Sequence, residues 1–441
     1  MPVHLTLDGI TWLLKPGMRV FLSGLASESS AFREALQTNP HTADGVTFCG
    51  AMAPGINVFD YASLHPTARV ETLFMAPPNR ESAAAGKVDH LPIGYHAAFG
   101  QFSKTIFDLA VLHVAPPDAS GMCSFGVTSD FQEAALNNTR TILAIVNPLM
   151  PTTNGPAIRY DDIDFISEQA VPISAFPVDL AGDRISERIA RHVAGLIRDG
   201  DCLQFGLGRI PNLVISSLTD RRRLTIHSGL VTDAVISLLG AGSIASQNRG
   251  CRSPIITNAF VGTAKLYEQG GRDDVAFASV GFTHALTTLA RIPNLVSINS
   301  AIEIDLFGQV NSETIGHRSV SGIGGALDFI RGANALPGGR PIVAVPICHN
   351  QRRLTPGCFP EVPRASDDTS RRRNYRRHGK WYCGSAKPVC KSTSGIAYRD
   401  RKSFTSGSSG ERILRREKLM PDVQRRIRAP RRQPAAPLIC L

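Results

Sequence analysis

Residues 202–239, CLQFGLGRIPNLVISSLTDRRRLTIHSGLVTDAVISLL, alternate two kinds of local pattern. Cys202-Leu203-Gln204-Phe205 reads as a strand, and Gly206-Leu207-Gly208 follows it as a loop. Pro211 then stands near the first turn of a helix that ends by Leu218, where the N–H that proline lacks would have no helical partner anyway. Leu224-Thr225-Ile226 is the next strand, delivering His227-Ser228-Gly229 into a loop ahead of a helix over residues 233–239. Strand, glycine loop, helix, strand, loop, helix is half of a doubly wound α/β sheet, whose ligands bind outside the carboxyl ends of the strands. Gly206-x-Gly208 alone is no nucleotide fingerprint, which needs a third glycine and a later acid.

The flanking chain continues the alternation. Upstream, residues 183–198 carry Ile185, Ile189, Val193 and Ile197 on one helical face, with Gly200 as the stop signal. Ile173 to Phe176, between Pro172 and Pro177, reads as an inter-domain connection. Earlier still, residues 20–24, 109–114 and 141–146 are apolar runs of the kind that parallel sheets bury on both faces. Residues 25–29 form a loop containing Glu28 before a helix over 30–36, and residues 95–101 read as a loop or short strand. His96 and His113 have no second ligand at metal spacing and read as structural histidines.

Downstream, residues 299–341 begin with Ile302, Ile304 and Leu306 alternating with Glu303, Asp305 and Phe307, a strand with a carboxylate-bearing face. Gly322-Ile323-Gly324-Gly325 then precedes Ala326-Leu327-Asp328-Phe329-Ile330, the opening of a helix. Glycines at that place let backbone N–H groups converge on a phosphate, a carboxylate or a developing oxyanion. On spacing alone, a tight turn using glycine for positive φ is the preferred account of them.

A chain of 441 residues with 43% hydrophobic and 19% charged residues fits two soluble domains and a tail. Nothing at the N-terminus reads as a secretory signal, no apolar run is long enough to span a bilayer, and nine scattered cysteines point to free thiols in a cytoplasmic protein. The net charge of +11 belongs to one end. Residues 351–441 hold 23 of the 48 lysines and arginines but 7 of the 37 aspartates and glutamates, so they carry +16 and residues 1–350 carry −5.

The motifs together resemble the acetyl-CoA hydrolase/transferase family, which includes 4-hydroxybutyrate, acetate and itaconate CoA-transferases. Asn299-x-x-Ile302-Glu303-Ile304-Asp305-x-x-Gly308-Gln309 and Ser321-Gly322-x-Gly324-Gly325-x-x-Asp328-Phe329-x-Arg331-Gly332-Ala333 follow its C-terminal signature. The run from Leu203 to Pro211, the Pro116-x-Asp118-x-x-Gly121 turn with Ser124-x-Gly126, and Ala26-Ser27-Glu28 with Ser29 where proline is usual follow other family patterns. The resemblance implies two similar open α/β domains of the CoA-transferase type (NagB/RpiA-like), over residues 1–178 and 179–349, with a thioester site between them. It also implies coenzyme A as a substrate beside an acyl-CoA and a small carboxylate, with no bound cofactor, metal, nucleic acid or membrane, in a possible homodimer. Gly324 and Gly325 would donate to an oxyanion or thioester carbonyl, and Gly206, Gly208 and His227 would lie against CoA.

One departure matters most. His227, Ser228 and Asp233 fit the family's I-H-[ST]-E-M-x-x-D pattern, but its glutamate is Gly229 here. In relatives that carboxylate takes the acyl group and becomes a glutamyl-CoA thioester, chemistry that needs a carboxylate. Glu303 and Glu28 are the candidate replacements. The expected activity is therefore CoA transfer from a short-chain acyl-CoA to a carboxylic acid through a glutamyl-CoA type intermediate. The alternatives are acyl-CoA hydrolysis and an inactive product of a damaged gene.

Residues 350–441 are rich in Arg, Ser and Pro and follow no family pattern as they stand. A basic arm that binds nucleic acid is one reading of them. Reading Asp367 to Ala386 from the second base of each codon offers the other, since it permits T-T-P-R-A-D-E-I, then I-V-V-T-E-N-G-I-A-D-L, close to the family's missing run. The single Trp381 codon forces the glycine. The expectation is a frame slip between Cys348 and Ser366, which leaves a disordered tail and a second sheet with an open edge and exposed apolar surface. Sequencing the coding DNA tests this: the shifted frame should encode the run, and an intact frame unable to encode it contradicts the reading.

Overall fold

The computed structural model describes residues 1–177, 183–246, 253–305 and 307–346, with the backbone of two-residue strands at 349–350, 353–354, 358–359 and 439–440. The 178/179 domain boundary, Leu306 and most of the tail lie outside the described residues.

The first domain is an eight-stranded sheet. Its strands are β1 (Val3–His4), β2 (Arg19–Leu22), β3 (Thr47–Gly50), β4 (Arg69–Thr72), β5 (Val88–His90), β6 (Leu109–Val114), β7 (Ile142–Val146) and β8 (Phe165–Glu168). They lie in the order β1-β8-β7-β6-β2-β3-β4-β5, all parallel. The second domain supplies β9 (Cys202–Phe205), β10 (Thr225–Val231), β11 (Ile255–Phe260), β12 (Val275–Phe277), β13 (Leu295–Ser300) and β14 (Arg340–Ala344). Their order is β12-β11-β10-β9-β13-β14, again all parallel.

The two orders are the same path. Four strands step outward from β2 or β9, then the chain returns and continues on the other side with β6 or β13. Each domain therefore has a switch point, between β2 and β6 and between β9 and β13, where the strand ends leave a crevice. The two similar α/β domains expected from the sequence are present. The expected open edge beside β14 carries the two-residue strand Ile439–Cys440, parallel to it.

Helices fill the crossovers. In the first domain α1 (Ser30–Thr38) starts where Ser29 Oγ accepts from Phe32 N at 3.2 Å. Residues 95–101, read from sequence as a loop or short strand, are instead helix α2 (Tyr95–Phe102). Tyr95, Ala98 and Phe102 share one buried face at helical spacing, a period too short in sequence to stand out. In the second domain α3 (Arg184–Ala194) is capped by Asp183, α4 (Arg209–Ser216) follows Gly208, α5 (Ala234–Gly240) follows β10, and α6 (Ala326–Ala333) follows the glycine loop.

A second difference concerns β10, which runs on through His227, Ser228 and Gly229 to Val231 instead of ending at Ile226. Leu230 and Val231 pair with Ala259 and Phe260 of β11, so the partner strand extends the ladder past the point where local pattern alone would stop it.

The domains are joined by backbone hydrogen bonds and shared cores. Ser129 N donates to Asn258 O at 2.7 Å, Phe260 N to Val127 O at 2.8 Å, and Phe277 N to Asn154 O at 2.7 Å. Ala259, Val261 and Val280 are buried in the first domain's core, and Ala26, Ala115 and Val127 in the second's. Among the described residues no helix is long and apolar enough to cross a membrane, and Cys49, Cys123 and Cys202 are buried.

Candidate active site

The strand ends at the second domain's switch point meet the loops after β2, β3 and β4 of the first domain around a cavity of about 310 Å³. Gly206 and Asn299 form its floor, Leu25, Phe74 and Tyr95 the first-domain wall, and Gly322–Gly325 the rim. The floor is stiff: Ser297 Oγ and Asn299 Nδ2 donate to Gln204 Oε1 at 2.5 and 3.1 Å. A Cβ at Gly206 would lie 2.8 Å from Asn299 Oδ1, so a bare backbone is required there.

The glycine loop is held by the first domain. Met75 N donates to Ser321 O at 3.2 Å, Tyr95 N to Gly324 O at 3.1 Å, and His96 N to the Asp328 carboxylate at 3.2 Å. Gly322 passes so close over the Leu73 carbonyl that any Cβ would collide with it, and Gly324 has φ +56°. The N–H groups of Gly324, Gly325 and Ala326 find no acceptor among the described residues, as expected at the start of α6. They and the helix dipole favour negative charge at the cavity rim.

Gly208, with φ +135°, lies in a neighbouring cavity of about 650 Å³ with Arg184 and Arg209, and Ser300 belongs to both. Arg209 pairs with Asp183 at 3.4 Å. Gly206, Gly229, Gly324 and Gly325 thus meet in one cavity, and Gly208 sits next door.

The candidate carboxylates are elsewhere. Buried Glu28 accepts from Asn57 Nδ2 at 2.9 Å and Tyr61 Oη at 2.8 Å, with Arg33 at 4.0 Å. Buried Glu303 accepts from Asn311 Nδ2 at 2.7 Å. Asp305 caps its own turn by accepting from the N–H groups of Phe307 and Gln309. The carboxylate-bearing strand face of the sequence reading is spent on that hairpin, and neither glutamate is among the residues that line the cavity.

His227 is buried and donates Nε2–H to the Thr283 carbonyl at 3.0 Å, so it is a support beneath the cavity and does not line it. What it supports is the short helix Val280–Thr283 and the residue that ends it, His284. The His284 ring fills the space in front of Gly229: a Cβ there would lie 2.8 Å from Nε2, and one at Gly325 would overlap the ring. Tyr95 and Phe329 flank it, with ring centroids 5.2 and 4.8 Å away. Sequence reading missed His284, because SVGFTHALTT offers no motif and its neighbours come from residues 95, 229, 325 and 329.

Residues 5–176 match the acetyl-CoA hydrolase/transferase N-terminal domain and residues 262–374 the C-terminal domain of the same family. The chain is 33% identical over 333 residues to a 4-hydroxybutyrate coenzyme A transferase of Clostridium kluyveri, spanning 74% of this chain and 77% of that one. It is 34% identical over 300 residues to a succinyl-CoA:acetate/propanoyl-CoA:succinate CoA transferase of Fasciola hepatica, spanning 65% and 62%. Among solved structures, RipA from Yersinia pestis superposes with a TM-score of 0.74 at 26% identity, over 81% of this chain and 84% of that one. A 4-hydroxybutyrate CoA-transferase from Porphyromonas gingivalis gives 0.67 at 25% identity, over 82% and 85%.

The buried histidines make stability depend on acid. Burial lowers His113 and His227 from 6.5 to about 4, and burial with nearby His227 and His96 lowers His284 to about 3. Burial raises Asp130 from 3.8 to about 8. Between about pH 6 and pH 4.5 the unfolded chain binds a proton on each of the three imidazoles that the folded one refuses. The folded chain keeps one on Asp130 that the unfolded one releases. The net excess lies with the unfolded state, so stability should fall on acidification by about 2–3 kcal/mol per pH unit in that window. Urea unfolding across it measures this, and a flat or rising profile would mean the imidazoles titrate normally.

Proposed function

Because the chain belongs to the acetyl-CoA hydrolase/transferase family, we propose that its interdomain cavity binds an acyl-CoA and passes CoA from a short-chain acyl group to a carboxylic acid. The observation that carries this reading is the cavity where the second domain's switch point meets the first domain's strand-end loops, bounded on one side by amides with no acceptor among the described residues. The thioester carbonyl oxygen takes the Gly324 and Gly325 N–H groups, and the negative charge that grows on it in the transition state strengthens those bonds. Gly206 leaves room for a small acyl group or acceptor. The neighbouring cavity, with Arg184 and Arg209 beside Gly208, receives the phosphate-bearing part of CoA.

The family's enzyme-bound thioester has no carboxylate to form on at Gly229, and Glu28 and Glu303 are held by partners outside the cavity. Transfer here proceeds between the substrates themselves. The acceptor carboxylate adds to the thioester carbon, the C–S bond breaks, and a mixed anhydride and CoA thiolate result. The thiolate then attacks the acceptor's acyl carbon, and the donor acid leaves as its carboxylate. Hydrolysis is the second reading, favoured by the same Gly229, with water in place of the acceptor.

Initial rates of CoA exchange, measured with acetyl-CoA and the acceptor acid varied together, test the transfer reading. Direct transfer requires both substrates bound at once and gives intersecting reciprocal plots. Parallel plots would mean a covalent enzyme intermediate, and a protein that neither binds nor turns over acyl-CoA would remove the reading altogether.

A further inference from the structure

We propose that His284 is a catalytic residue, whose Nε2 takes the proton from a water that attacks an acyl-CoA thioester in the interdomain cavity. This rests on the reading of that cavity as the acyl-CoA site and assigns the chemistry of its hydrolytic branch.

Three features of the structure lead there. The ring is placed at the position where a side chain on residue 229 would project, between Gly229 and Gly325, and Gly325 carries one of the rim amides. Its tautomer follows from the Thr283 hydroxyl. With its own proton directed to Ser279 O at 3.2 Å, Thr283 Oγ1 accepts from His284 Nδ1 at 2.9 Å, and we take this arrangement. Nδ1 therefore carries the proton, and Nε2 keeps its lone pair. Finally, among the described residues that line the cavity, the titratable side chains are Tyr95 and His284. Burial with nearby Asp130 raises Tyr95 well above its ordinary value, so the phenol keeps its proton and His284 is left as the base.

Burial keeps the ring neutral at physiological pH, so the base form is always present. A ring this weakly basic gains proton affinity only when negative charge appears beside it. The thioester oxygen at the Gly324–Gly325 amides supplies that charge as water adds. The water oxygen bonds to the carbonyl carbon while its proton passes to Nε2. Collapse of the tetrahedral oxyanion breaks the C–S bond, and the departing thiolate takes the proton back from Nε2. Carboxylic acid and CoA leave, and His284 is neutral again.

Hydrolysis of acetyl-CoA by the full-length protein, followed as loss of the thioester without any acceptor acid, tests this. The wild type should hydrolyse it. His284→Gln should lower kcat about 100-fold, the scale of lost general-base catalysis, with KM within about threefold. His284→Ala should regain activity with added free imidazole. Thr283→Val, a near-isosteric change that removes the acceptor fixing the tautomer, should lower kcat about tenfold and keeps the test open if the His284 variants unfold. A His284→Gln protein within about threefold of wild type, or a loss confined to KM, would overturn the assignment. A wild type that exchanges CoA with acetate but does not hydrolyse would overturn it while leaving the transfer reading standing. A wild type that does neither would overturn both.

Discussion

An imidazole can lie where His284 lies only because residues 229 and 325 have no side chains. Neither glycine could gain a Cβ without displacing the ring, and the ring is packed between Tyr95 and Phe329 with Thr283 and His227 fixing the backbone behind it. The bare backbone at residue 229 admits an imidazole to the space where the family resemblance implies a carboxylate. A glutamate restored at residue 229 would have to displace His284 before it could reach a thioester.

The same geometry depends on the two domains being held as one body. Loop 127–130 of the first domain hydrogen-bonds to the end of β11, and each domain's core contains apolar side chains of the other. The rim glycines are held in turn by amides of Met75 and Tyr95 across the domain boundary. Donors fixed before substrate arrives need no reorganisation as charge develops, which is where an electrostatic site gains most. Breathing of the domain interface would move the rim relative to the floor at Gly206 and Asn299.

Much of this was legible in the sequence, and the exceptions have physical causes. The apolar runs 109–114 and 202–205 became strands at those bounds, because a buried parallel strand announces itself by composition. The glycine loop before Ala326 was readable through the family signature around it, since the spacing of its glycines fits a plain tight turn. The extension of β10 past Gly229 was not, since β11 makes it, and a partner strand is invisible to local pattern. Helix α2 was missed because eight residues show barely two turns of periodicity. Glu28 and Glu303 drew attention as acids within motifs, yet burial and partners such as Tyr61 and Asn311 occupy them. His284 had no local signal at all, because three separate segments of chain, around residues 95, 229 and 325–329, define its place.

The central claim is that no carboxylate of this chain becomes a thioester during turnover. The intact mass of the protein, quenched within its first turnovers of acetyl-CoA, tests this most directly. The unmodified mass is expected at every quench time. A species heavier by one CoA, mapped by digestion to Glu28, Glu303 or any other acidic residue, would contradict it.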